Sequence, residues 1–321
     1  MRFQDIYGHE KSLSILKAAM NANRAPHAYL FYGMEGVGKK TVASVFARAL
    51  NCTGEDRPCD VCASCLKAEH NNHPNIIHIA AEGQFIKIDA VREIQARMAF
   101  RPEGGKRVFI IPEADKMNPP AANALLKTLE EPAADNILIL TTARLHALPM
   151  TILSRCQKLR FSPLPKMTVA RFLMEKKGMH PDEAEAVAAA SLGSIGYALE
   201  IIKEDYMAIR NDILDRLAKD NPADLIKRLV FAGSLGKDRD KIPRRLQIIE
   251  NAYRDSLVFK ETGNRDLLLY KDGASMIETI ARRLSGRDII KNIKEIEKAA
   301  DALSRNANKT LTLEAMVVSL A

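Results

Sequence analysis

The residues Gly33-Met34-Glu35-Gly36-Val37-Gly38-Lys39-Lys40-Thr41 follow the apolar run Tyr29-Leu30-Phe31-Tyr32 and lead into an alanine-rich helical stretch ending near Leu50. Strand, glycine-rich turn ending in Gly-Lys, then helix is the order of a phosphate-binding loop, whose backbone N–H groups and helix N-terminus cradle phosphates. Gly33, Gly36, Gly38, Lys39 and Thr41 are therefore the candidate nucleotide-binding residues. The chemistry is incomplete. Lys40 stands where a Ser or Thr hydroxyl would hold Mg²⁺, and it brings a positive charge to the place of the cation. Moving the register to Lys40-Thr41 fails because Lys39, not glycine, would precede the motif lysine.

Hydrolysis at such a loop also needs a carboxylate at the end of a neighbouring strand. The strand Val108-Phe109-Ile110-Ile111 ends at Pro112, which has no ligand to offer. Glu113 supplies a base, but a base without metal and polarised phosphate does little. Asp115, two residues farther on, reads as a helix cap or an ion-pair partner. Two losses, hydroxyl and carboxylate, predict a degenerate site that binds ATP or ADP weakly or not at all and does not turn it over.

A second chemical cluster is Cys52, Cys59, Cys62 and Cys65, with two-residue gaps between the last three. Four thiolates so spaced fit a turn and a starting helix converging on one ion, and a closed Cys₄ shell makes Zn²⁺ structural. Iron–sulfur ligation is the rival for the same spacing. His70 and His73 read as surface histidines, and Cys156 as a buried apolar residue.

Elements that position these groups follow from periodicity. A helix carries Leu13, Ile15, Leu16 and Met20, and strand-like patterns run Ile76–Ala80, Arg107–Ile111, Asn136–Thr142 and Leu159–Phe161. Helices are expected over 88–100 and 119–131, the latter with proline in its first turn. Alternating strands and helices predict a parallel α/β sheet with the phosphate loop at a strand's carboxyl end. Beyond Ser162-Pro163-Leu164-Pro165 only helical periodicity remains. The expected domains are 1–162, interrupted by a metal module at 52–65, then a small helical domain over 163–205 and a helical bundle over 206–321. Stripes at Leu225 and Leu229, and at Leu246, Ile249 and Ala252, are assigned first to core packing.

Of 321 residues, 47% are apolar, enough for real cores. The formal charge of +8 is spread over both halves, and aromatics make up 5% with no Trp, which weighs against a dedicated nucleic-acid reader. Apolar runs fall far short of the roughly 20 residues of a membrane helix. Met1-Arg2-Phe3-Gln4-Asp5 opens no secretory signal, and an odd cysteine count argues against a disulfide framework. Cytoplasmic residence is the expectation, with no membrane partner.

Together, Asp5-Ile6-Tyr7-Gly8-His9-Glu10, Ala25-Pro26-His27-Ala28-Tyr29-Leu30-Phe31, the inserted Cys₄ module, Asn123 through Pro132 and Leu148 through Cys156 resemble the AAA+ clamp-loader subunits of bacterial DNA polymerase III over nearly the whole chain. The resemblance implies a RecA-like AAA+ P-loop domain, a helical lid and a C-terminal collar that joins a five-membered ring. Implied partners are the delta and tau/gamma subunits, with the sliding clamp and primer-template DNA reached through the complex. Ser154-Arg155-Cys156 matches the motif whose arginine enters the ATP site of the neighbouring subunit, so Arg155 is the candidate catalytic residue in trans. Thr141 and Thr142 fall in the sensor-1 region. Gly196 stands where the ATPase members carry the sensor-2 arginine, a third missing part. These departures, and an end at Ala321 without a tau-like extension, imply a non-catalytic member. An active tau/gamma-type ATPase is the first rival and a zinc-containing DNA-binding module the second.

Overall fold

The computed structural model describes the chain from Met1 to Ala321 except residues 80, 82, 84, 103, 204, 205, 237–240 and 306. The expected strand end at Ala80 and domain boundary at 205 lie outside the described residues. The chain divides into two compact units, Met1–Glu200 and Ile201–Ala321.

In the first unit five strands, β1 (Ala28–Tyr32), β2 (Ile76–His78), β3 (Arg107–Ile111), β4 (Asn136–Thr142) and β5 (Gln157–Arg160), form one sheet. Every pairing is parallel and the order is β2-β3-β4-β1-β5. Helices α1 (Glu10–Asn21) and α2 (Lys39–Asn51) cover one face; α4 (Ile88–Met98), α5 (Pro119–Glu130) and α6 (Met150–Leu153) cover the other, and the short α3 (Ala63–Glu69) follows the cysteine turn. The alternation of side chains along a strand divides the core in two. Tyr29, Phe31, Val108, Ile110, Ile137 and Ile139 pack with Val42 and Phe46 of α2, whereas Leu30, Phe109, Ile111, Leu138 and Leu140 pack with Ile94 of α4 and Leu125 of α5. Because β1 lies between β4 and β5, its carboxyl end opens at the switch in strand order, where ligands bind in open α/β sheets.

Strand β5 begins two residues earlier than the apolar pattern of Leu159 and Phe161 suggests. It is an edge strand with Gln157, Lys158 and Arg160 exposed and only Leu159 buried, and charged side chains are normal on such an edge. Phe161 still donates its N–H to Tyr32 O at 2.8 Å.

Three helices complete the first unit: α7 (Lys166–Lys177), α8 (Pro181–Ala190) and α9 (Ile195–Lys203), the last running past the unit's edge. The second unit contains α10 (Tyr206–Ala218), α11 (Leu225–Leu235), α12 (Ile242–Thr262), α13 (Ala274–Arg283), α14 (Gly286–Ser304) and α15 (Lys309–Ser319). Its core takes Leu246, Ile249 and Ala252 from α12, with Ile277 and Ile280 from α13. The other stripe departs from the expectation of core packing. Leu225 and Leu229 are exposed, because α11 turns Arg228, Phe231, Ala232 and Leu235 inward instead. The buried Arg228 is held by Asp220 at 2.5 Å and by Leu320 O at 2.9 Å, so a cation occupies the place the periodicity would give to leucine. No single helix among the described residues is long and apolar enough to cross a membrane.

Candidate functional site

The phosphate loop is built where β1 stops. Gly33 has φ 147°, and a Cβ there would lie 2.0 Å from Phe161 O, so only glycine lets the loop pass β5. Lys39 opens α2 with Gly38 as its N-cap. Its ammonium folds back on the loop, donating to Gly33 O at 2.6 Å and Met34 O at 2.8 Å. Lys39 is buried, and burial lowers its pKa below the usual lysine value, opposed by the charges of Glu35, Asp115 and Glu113. Lys40 and Thr41 are exposed. The charge of Lys40 reaches His78, whose pKa is lowered first by burial and then by that lysine.

Residues 194–197, at the start of α9, lie directly against this loop. Gly196 donates its N–H to Gly36 O at 2.8 Å, and Ser194 Oγ donates to Glu35 O at 2.9 Å. Gly36 has φ 71°, and a Cβ added there would sit 2.3 Å from Ser194 Oγ; one added at Gly196 would sit 2.7 Å from Gly36 Cα. Two backbones meet at Gly196, which leaves no room for a side chain at that position. On the other side, the Tyr7 hydroxyl donates to the Glu175 carboxylate at 2.5 Å and its ring packs edge-on against Phe172 of α7. His9 Nε2 lies 2.8 Å from Val37 O, an acceptor, which places the proton on Nε2; burial lowers the pKa of this histidine.

Beyond Pro112 the acidic residues are engaged elsewhere. Glu113 has φ 49° and pairs with Lys116 at 2.9 Å. Asp115 is a salt-bridge residue: its carboxylate accepts from Thr142 Oγ1 at 2.7 Å and from Arg144 Nε at 2.9 Å. Buried Thr142 thus tethers an acid. Thr141 Oγ1 lies 3.4 Å from the Glu113 N–H, which donates to it.

Arg155 follows α6 and stands apart from its own chain's loop. One terminal nitrogen, NH2, pairs with Glu130 at 2.7 Å; the other, NH1, donates to Thr151 O at 3.0 Å and Ser154 Oγ at 3.2 Å. About a third of the Arg155 side chain is exposed, at 35%. Next to it Cys156 is buried, and burial pushes its thiol up to about 11, which removes it as a nucleophile near neutral pH.

The four cysteines converge as their spacing requires. Their sulfurs all lie within 4.8 Å of one another, and Cys52 Sγ is 3.9 Å from Cys62 Sγ. Tetrahedral ligation with arms of about 2.3 Å places sulfurs about 3.8 Å apart, so the cluster fits a metal ion. Backbone N–H groups of Gly54 and Cys59 point at Cys52 Sγ at 3.4 and 3.3 Å, and that of Cys65 at Cys62 Sγ at 3.4 Å. Cys62 is the N-cap of α3, joining turn to helix. Burial raises the Cys52 and Cys65 thiols, while N–H donors hold Cys59 and Cys62 down. A cation would ionise all four. Asp60 ties the module to the sheet through Arg48 of α2 at 2.5 Å. His73 is bound to Ser64 Oγ at 2.9 Å and takes no part in the cluster.

The structure thus brings Gly33, Gly36, Gly38 and Lys39 into one loop and Cys52, Cys59, Cys62 and Cys65 into one cluster, and keeps Arg155 separate from both. Glu130 and Ser194 were not singled out from sequence. Ser194 touches a residue 159 positions before it through Glu35 O, which no local pattern encodes. A cavity of about 180 Å³ lined by Ala25, His27, Lys106 and Asn136 lies at the amino ends of β1, β3 and β4, remote from these groups.

Among known proteins, the family described as "DNA polymerase III, delta subunit" matches residues 8–165. The delta' subunit of DNA polymerase III from Bacillus subtilis is 29% identical over 314 residues, 96% of this chain and 94% of that protein. The tau subunit from the same organism is 30% identical over 298 residues, 84% of this chain and 52% of that protein, so the chain spans about half the length of the tau relative. A gamma subunit-related protein of DNA polymerase III from Thermotoga maritima, known as a crystal structure, aligns over 94% of this chain and 97% of its own, with 19% identity and a TM-score of 0.48.

Proposed function

Since the chain belongs to the family of DNA polymerase III clamp-loader subunits, we propose that it is a delta-prime-type member, an AAA+ subunit that does not hydrolyse ATP itself. In this reading residues 163–205 form its lid and 206–321 its collar. It assembles in the cytoplasm with delta and tau/gamma subunits, through which the sliding clamp and primer-template DNA are reached. Its contribution to chemistry is Arg155, presented to the ATP site of the adjacent subunit, where a guanidinium stabilises charge on the transferring phosphoryl group.

The observation that carries the reading is the contact of Gly196 with Gly36. There the two backbones come so close that a Cβ at Gly196 would sit 2.7 Å from Gly36 Cα, and Lys39 donates to the carbonyls of Gly33 and Met34. With Lys40 in place of the hydroxyl and Pro112 in place of the carboxylate, neither Mg²⁺ ligand is available. In the same reading Cys52, Cys59, Cys62 and Cys65 would hold structural Zn²⁺, which supplies cross-linking and no open coordination site.

One observation favours the rival of an active ATPase: the tau relative is 30% identical across 84% of the chain. Steady-state ATP hydrolysis by the separate chain distinguishes the two. We expect no turnover above background, with or without DNA and clamp, from protein containing one equivalent of zinc by metal analysis. Turnover stimulated by DNA and clamp overturns the proposal.

A further inference from the structure

The partner of Arg155 is Glu130, the last residue of α5, and nothing in the helix accounts for a carboxylate there. A helix C-terminus carries partial negative charge, which disfavours an acidic side chain in the last turn. Glu131 follows at once and adds a second negative charge. What Glu130 faces is the guanidinium of Arg155, with NH2 at 2.7 Å, while NH1 is engaged by Thr151 O and Ser154 Oγ. Both terminal nitrogens are therefore turned toward their own chain. To stabilise charge on a phosphoryl group they must turn outward.

We propose that Glu130 is a positioning residue that parks Arg155 in the separate chain, and that the phosphates of a nucleotide held by an adjacent subunit displace it. This rests on the reading of Arg155 as a residue acting in trans. The pair is built for exchange. Arg155 is 35% and Glu130 50% exposed, and ion pairs so placed are held weakly. Glu130 takes only NH2, whereas a polyphosphate offers the fork of the guanidinium bidentate contacts with more charge, so it wins the competition at short range. Until then the carboxylate holds the long side chain close to α6.

The test is a double-mutant cycle in the complex reconstituted with its partner subunits, using wild type, Glu130→Gln, Arg155→Ala and the double variant. ATP-dependent turnover is measured against ATP concentration. Removing the competing carboxylate should lower KM for ATP at the neighbouring site by about two- to five-fold with kcat unchanged. In the Arg155→Ala background the same change should leave KM where it was. An unchanged KM in Glu130→Gln, or an equal shift in both backgrounds, overturns the proposal. If Arg155→Ala alone leaves turnover at its full rate, the trans role of Arg155 fails first, and that result is distinct from a failed exchange. Thermal melts of each separate chain verify that the variants are folded.

Discussion

The phosphate loop and the arginine edge of the first unit hold their basic residues in opposite ways. Lys39 is buried, its ammonium sealed by two carbonyls of the loop, and the loop is covered by a backbone contact between Gly36 and Gly196. Arg155 is held by a half-exposed carboxylate and two local oxygens. A buried ammonium leaves its acceptors only at the cost of unpaired polar groups, whereas a surface ion pair exchanges for little. The difference separates a cation locked into its own loop from one whose contacts are open to exchange, which is what the proposed role of Arg155 on a neighbour's substrate requires.

The largest expected effect concerns the open side of this comparison. If Arg155 acts as proposed, Arg155→Ala in the reconstituted complex should reduce turnover at the affected site by on the order of 10³, the loss seen where an arginine finger is essential. Assembly should be preserved, because the residue's own ion pair is weak; single-turnover kinetics at that site reads the loss.

The closed side is tested by filling the space between the backbones. At Gly36 the positive φ of 71° and the 2.3 Å approach to Ser194 Oγ act together, so Gly36→Ala should destabilise the chain by about 2–4 kcal/mol in denaturant unfolding. Gly196→Arg should cost about 1–3 kcal/mol, because a Cβ there would sit 2.7 Å from Gly36 Cα. A chain that accepts either substitution without loss does not have its loop closed by this contact.

The smallest effect is in pH. Burial holds His9, His73 and His78 below the ordinary histidine value of 6.5. Their folded pKa is depressed, so the stability they contribute is complete above 6.5 and is lost as pH falls from there through the lowered values. The slope is at most about 1.4 kcal/mol per pH unit for each histidine. His9→Gln, which keeps a donor for Val37 O, should flatten the acid side of a melting-temperature profile; an unchanged profile removes His9 from the account.

Much of the first unit was legible because its signals are local. Runs such as Val108–Ile111 and Ile137–Leu140 name buried strands, the glycines before Lys39 name the turn, and the cysteine gaps name a cluster able to hold a metal. What escaped depended on partners distant in the chain. Gly196 reads from sequence as a missing arginine; only the fold brings its backbone to Gly36. Glu130 reads as part of a helix end until α5 and α6 place it beside Arg155. At α11, periodicity put Leu225 and Leu229 inside, but the pairing of Arg228 with Asp220 reverses the face.

In the proposed reading, this chain's phosphate loop no longer works as an engine. A calorimetric titration of ATP and ADP into the wild-type chain, with and without Mg²⁺, tests it most directly. With Lys40 and Pro112 replacing both metal ligands, binding should be weak or absent and the same in the presence and absence of Mg²⁺. Tenfold or greater tightening by Mg²⁺ would contradict it.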